Sequence, residues 1–116
     1  MSDTAPERWL LDAGDAPTAL LTIPADAKRE RRFEIAVAVV VGVPDDARAP
    51  WLEVTVLADG AQQWQRRAPA HNPGDYDGLD YRFRHGVPVG RALRLQVKVA
   101  GAGVRRRSLR IEADEV

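Results

Sequence analysis

The chain has no cysteine, so neither a disulfide framework nor a thiolate metal site can form. Serine is nearly missing, with Ser2 and Ser108 the only two, and histidine is confined to His71 and His85. A hydrolase triad needs a positioned nucleophile beside its base, and neither serine stands in such a motif. Glycine-rich phosphate loops and the paired histidines of zinc peptidases are missing as well. We therefore expect a protein that is not an enzyme.

Long apolar runs are also lacking. The longest, from Ile35 to Val43, is about half of what a bilayer-spanning helix requires. The opening Met-Ser-Asp-Thr-Ala-Pro-Glu-Arg is acidic and polar where a secretory signal needs a basic start and an apolar stretch, so a cytoplasmic location is expected and a membrane partner is not. Net charge is zero, which gives no reason to expect nucleic acid. Aromatic residues make up only 6% of the 116 positions, against 45% apolar and 29% charged overall, the profile of one ordinary domain large enough to bury a core unaided. One domain over 1–116 is expected, with 1–7 as a loose tail.

What is present is alternation with a period of two, the signature of strands. Phe33, Ile35, Val37 and Val39 share one face of a β-branched stretch; Leu52, Val54 and Val56 share another; Leu79, Tyr81 and Phe83 alternate with Asp80, Arg82 and Arg84; Leu93, Leu95, Val97 and Val99 alternate with Arg94, Gln96 and Lys98; Leu109 and Ile111 close the set. These are the predicted core. Weaker strand signals run over 8–12, 18–23, 62–67 and 104–113. Between the strands lie Gly14 with Pro17, Pro24, Gly42 with Pro44, Asp59-Gly60, Asn72-Pro73-Gly74, Gly86 to Gly90 and Gly101 with Gly103. Asp59-Gly60 and Ala100-Gly101-Ala102-Gly103 read as hairpin turns. About eight short, regularly punctuated strands predict an all-β protein, a single antiparallel β-sandwich and most simply a jelly roll.

The order of the last third, Leu79 to Arg84, then Arg91 to Ala100, a glycine-rich turn and Ser108-Leu109-Arg110-Ile111-Glu112, resembles the closing strands of galactose-binding-like jelly rolls and carbohydrate-binding modules. The resemblance implies ligand sites on end loops or a concave face, and often a structural calcium. It rests on strand rhythm, so it carries no site residue over to this chain.

Three groups of residues are candidates for a site. Trp51 lies opposite the core face of its strand, and Trp64 stands among Gln62, Gln63, Gln65, Arg66 and Arg67; flat rings beside amides and guanidinium groups suit stacking on sugars, although capping the core would also explain them. Arg82, Arg84, Arg94, Gln96 and Lys98 form one basic face for an anionic ligand if their two strands pair as neighbours; otherwise they are solvated surface. Asp75, Asp77 and Asp80 on a glycine-containing loop offer the hard oxygen ligands that calcium takes, or form a solvated turn. No other cofactor is implied. The expected function is a non-catalytic binding module for a carbohydrate or other polar ligand. The alternative is a protein-interaction or self-assembly domain, with a homo-oligomer as its product.

Overall fold

The computed structural model describes residues 5–116, and every regular element among them is a strand. In chain order these are β1 (Arg8–Asp12), β2 (Thr18–Ile23), β3 (Arg31–Gly42), β4 (Trp51–Ala58), β5 (Ala61–Pro69), β6 (Tyr76–Val87), β7 (Leu93–Ala102) and β8 (Arg105–Glu115). They form two antiparallel four-stranded sheets, ordered β1-β8-β3-β6 and β2-β7-β4-β5. Each of β1 to β4 is thus hydrogen-bonded to the strand that mirrors it from the far end of the chain. A long hairpin rolled up on itself has this order, which is that of a jelly roll.

Alternation explains why the two sheets close on each other. In β3 the odd residues from Phe33 to Val41 are buried, as are Leu52, Val54 and Val56 of β4 and Leu93, Leu95 and Val97 of β7. Ala19, Leu21, Ile23, Ala58, Val87 and Ala113 join the inner layer beyond the residues expected from the sequence. Leu79, Tyr81 and Phe83 face inward but are only half-buried, because β6 is an edge strand with no further strand beside it among the described residues.

Of the two expected hairpins, one forms. Asp59 and Gly60 take left-handed φ values of 49° and 80° between the paired Ala58 and Ala61, the geometry that a two-residue turn between twisted strands requires. The glycine-rich turn after Ala100 is instead a corner: β7 and β8 lie in different sheets, and the chain crosses between layers at Gly103, where φ is 68°. A glycine marks where the chain turns; which sheet receives the next strand is a long-range matter.

At the end of the sandwich where β3 begins, the loop before β3 is joined to both outermost strand ends by an ionic cluster. Arg31 is the one buried charged residue among those described. Its guanidinium donates to the Glu7 carboxylate at 2.7 Å and to the Pro24 carbonyl at 2.7 Å. Arg29 bridges Glu7 and Glu115, Glu7 N–H donates to Glu115, and the Trp9 indole N–H donates to Glu7 at 3.0 Å. Residues 1–4 of the expected tail lie outside the described residues; Glu7, placed in that tail by the sequence, is instead a structural anchor.

This cluster makes stability depend on acid. The Arg29 guanidinium holds the Glu115 carboxyl below its ordinary value, and the Lys28 backbone N–H, helped by Arg29, lowers Asp26. A depressed carboxylate stabilises the fold above its unfolded-state pKa, about 3.9–4.3, and that contribution disappears as pH falls through the lower folded value. Urea midpoints should therefore hold level from neutrality to about pH 5 and drop below about pH 4. Glu115→Gln should lower the midpoint at pH 7 and soften the acid fall; an identical acid profile would show that this contact does not contribute.

Candidate functional site

The loop 43–50, the loop 70–75 and the start of β8 meet at the other end of the sandwich. The β3–β6 ladder continues past the strands here: Val43 N–H donates to the Asp75 carbonyl at 2.8 Å, and Gly74 N–H donates to the Val43 carbonyl at 2.7 Å. This pairing holds the two loops in register. Gly74 has a φ of 80°, a left-handed conformation that strains any residue with a side chain, and it lies against the Asp45 carboxylate where the two loops approach.

The β3–β8 register shifts at Val40/Val41: Val40 faces Ser108 while Val41 faces Arg106. Arg107 is thus the extra residue of a β-bulge. A bulge re-aims the side chain it carries. The Arg107 guanidinium lies over Gly42 and 5.8 Å from the Tyr76 ring centre, whose residue is 56% exposed. The result is a cleft of about 290 Å³ lined by Gly42, Val43, Pro44, Asp45, Gly74, Asp75, Tyr76, Arg105 and Arg107. Among the described residues, none of its two aspartates and two arginines forms an ion pair within 4 Å. Beside it a second hollow of about 400 Å³ is lined by Arg105, Arg106, Arg107, Val104 and Asp15, with Arg106 donating to the Asp15 carbonyl.

The sequence candidates are distributed differently from expectation. Arg82 and Arg84 lie on the outer face of the first sheet, each 3.7 Å from Glu34, whereas Arg94, Gln96 and Lys98 lie on the outer face of the second. The single basic face does not exist, since β6 and β7 belong to opposite layers although they are consecutive. Arg94 and Gln96 do share a hollow of about 360 Å³ with Leu20, Asp59 and Gly60.

Trp51 is on the outer face of the second sheet, as its register predicts, half-buried under the Arg67 guanidinium at 3.9 Å. Glu53 accepts from Arg67 at 2.9 Å and so holds that cation in place. Trp64 faces the other way. It stacks on Tyr81 at 4.7 Å and 3°, and Tyr81 stacks on Phe83 at 5.5 Å, so the three rings close the margin between edge strands β5 and β6. The glutamines around Trp64 concealed this, because a bulge between Val56 and Leu57 breaks the alternation of β5.

The three loop aspartates do not converge. Asp75 accepts from Tyr76 N–H, and Asp77 accepts from His71 N–H and Gly78 N–H, contacts that hold its carboxyl below the ordinary value. Asp80 lies three residues beyond Asp77 along β6 and makes no ion pair among the described residues. Among the described residues, no group of three or more acidic or histidine side chains comes together to hold a metal, and the calcium expectation loses its geometric basis. Asp75 instead lines the cleft together with Asp45, Arg105 and Arg107. Its bulge-borne Arg107 was missed in the sequence; the one signal was Arg105-Arg106-Arg107, a break in the alternation that resumes at Ser108.

Among the described residues no helix is long and apolar enough to cross a membrane. No family model matches the chain, and no curated protein matches it. Solved structures do. The dimeric latent PorU of Porphyromonas gingivalis aligns over 95% of this chain with a TM-score of 0.59 and 12% identity. A structure of infectious bursal disease virus aligns over 96% with a TM-score of 0.48 and 14% identity. This chain spans only 13% of the PorU chain and 32% of the viral one. At such identities the likeness to PorU extends to the fold: this chain is a two-sheet antiparallel β-sandwich similar to one segment of that larger protein.

Proposed function

We propose that the chain is a non-catalytic binding module for a hydroxylated polar ligand, a carbohydrate in the first instance, held in the cleft between Asp45, Tyr76 and Arg107. The observation that carries this reading is an exposed aromatic ring beside a bulge-aimed arginine, with unpaired carboxylates opposite. An aromatic face packs on the C–H face of a sugar, aspartates accept from its hydroxyls, and guanidinium groups donate to its oxygens. The volume of about 290 Å³ lies at the lower end of small-ligand sites, suiting one ring or a chain end.

The test is retention on a glycan array followed by titration of the best glycan. Tyr76→Ala and Arg107→Ala should each weaken binding about tenfold or more, the equivalent of about 1.4 kcal/mol. Arg94→Ala, beside the Asp59-Gly60 turn and outside the cleft lining, should leave it unchanged. No retention of the wild-type protein, or retention indifferent to both cleft substitutions, would overturn the proposal.

A further inference from the structure

The sandwich has four open strand edges, and they are not equivalent. β1 and β2 are short, and β5 is interrupted by a bulge and ends on Pro69. β6 has 12 residues, no proline and an unbroken register with β3 from Tyr76 to Val87. Natural sheets blunt such edges or use them.

Several bonds show which backbone groups point outward. The Val43–Asp75 bond sets the ladder phase, so the odd residues of β6 pair with β3 and the even ones turn their N–H and C=O groups away from it. In agreement, Gly78 N–H donates to the Asp77 carboxylate, and the Gly86 carbonyl is 2.8 Å from His85 Nδ1. These side chains serve the two ends of the edge. Its middle, Asp80, Arg82 and Arg84, has no strand beside it among the described residues.

We propose that this edge pairs antiparallel with the same edge of a second copy, about a twofold axis at Tyr81, to join two four-stranded sheets into one. Charge selects both occupant and register. An axis at Asp80 or at Arg82 sets that charge opposite itself. An axis at Tyr81 sets Asp80 opposite the partner's Arg82 and, by symmetry, Arg82 opposite the partner's Asp80. The same axis puts Arg84 across from the partner's uncharged Gly78, and Leu79 across from the partner's Phe83. Directly opposed unlike charges and apolar pairs favour a register, and like charges oppose it. The otherwise unpaired Asp80 thereby gains a counter-ion, and a twofold contact is self-limiting at a dimer.

Sedimentation of the full chain over a concentration series should show a monomer–dimer equilibrium. Asp80→Arg and Arg82→Asp each create two like-charge contacts and should raise the dissociation constant about tenfold or more. The double variant carrying both changes restores opposite charges and should recover the dimer. Arg107→Ala, in the ligand cleft, should leave association unchanged, so this proposal and the binding proposal fail separately. Hydrogen exchange on the wild-type protein provides a second readout that needs no substitution: the amides of Asp80, Arg82 and Arg84 should gain protection as concentration rises. A monomer at every concentration, a dimer indifferent to both single changes, or a folded double variant that fails to re-associate would each overturn the proposal, as would exchange at these amides that ignores concentration.

Discussion

Val54→Asp is expected to unfold the domain, while Thr55→Asp one position along should leave it folded. Val54 is fully buried, paired across the sheet with Val99 on one side and Arg66 on the other. The cross-strand Arg66 is exposed on edge strand β5, so a carboxylate at this buried position must either be desolvated or take up a proton. Either way the cost is about 3–5 kcal/mol, which takes up the whole margin of a domain at the lower end of the usual range of about 5–15 kcal/mol. Thr55 is on the outer face, with Lys98 and Gln65 as its cross-strand neighbours. An aspartate there loses some strand propensity but gains an adjacent cation, for a net effect within about 1 kcal/mol. Chemical denaturation of the two variants reads the difference directly; equal midpoints would mean that the faces of β4 are assigned the wrong way round.

Arg31→Met should cost about 3 kcal/mol. The arginine side chain is 2% exposed, and its two terminal nitrogens serve two acceptors on different segments, Glu7 beside β1 and the Pro24 carbonyl after β2. Methionine fills the stem volume and leaves both acceptors short of a donor. Arg31→Lys should fall between, because one ammonium lacks the planar fork that reaches both acceptors at once. Glu7 keeps its bond to Arg29 in either variant, so the loss should be smaller than that of a wholly orphaned charge. A denaturation midpoint for Arg31→Met equal to that of the wild type would show that the buried cation is replaceable by apolar volume.

Legibility from sequence followed the range of the interactions. The faces of β3, β4 and β7 were readable because burial on one side imposes a period of two, whatever the partner strand is. The strands over 8–12 and 18–23 were likewise found at their observed limits. Trp64 was left between sugar stacking and core capping because one extra residue in β5 breaks the alternation that would have fixed its face, and β6 was assigned a full core face because alternation cannot reveal whether a strand is central or at an edge.

The candidate site was less legible still. The cleft depends on β8 lying beside β3 with a bulge at Arg107, and on a loop contact that places Asp45 over Gly74. No local pattern specifies which segments, distant in sequence, will meet. The predicted basic face failed for the same reason, since consecutive amphipathic strands can pair within a sheet or pass to the opposite one with identical local signals.

By itself, then, the sequence determined the fold class, the strand faces and most of the core, along with the absence of thiol chemistry, since these follow from composition and from the alternation that one-sided burial demands. Tertiary structure alone decided the sheet order, the edge position of β6, the closing of the β5–β6 margin by Trp64, the ionic cluster around Arg31 and the meeting of Asp45, Tyr76 and Arg107. Those features are contacts between segments far apart along the chain, and their energy exists only once both backbones have been brought into register.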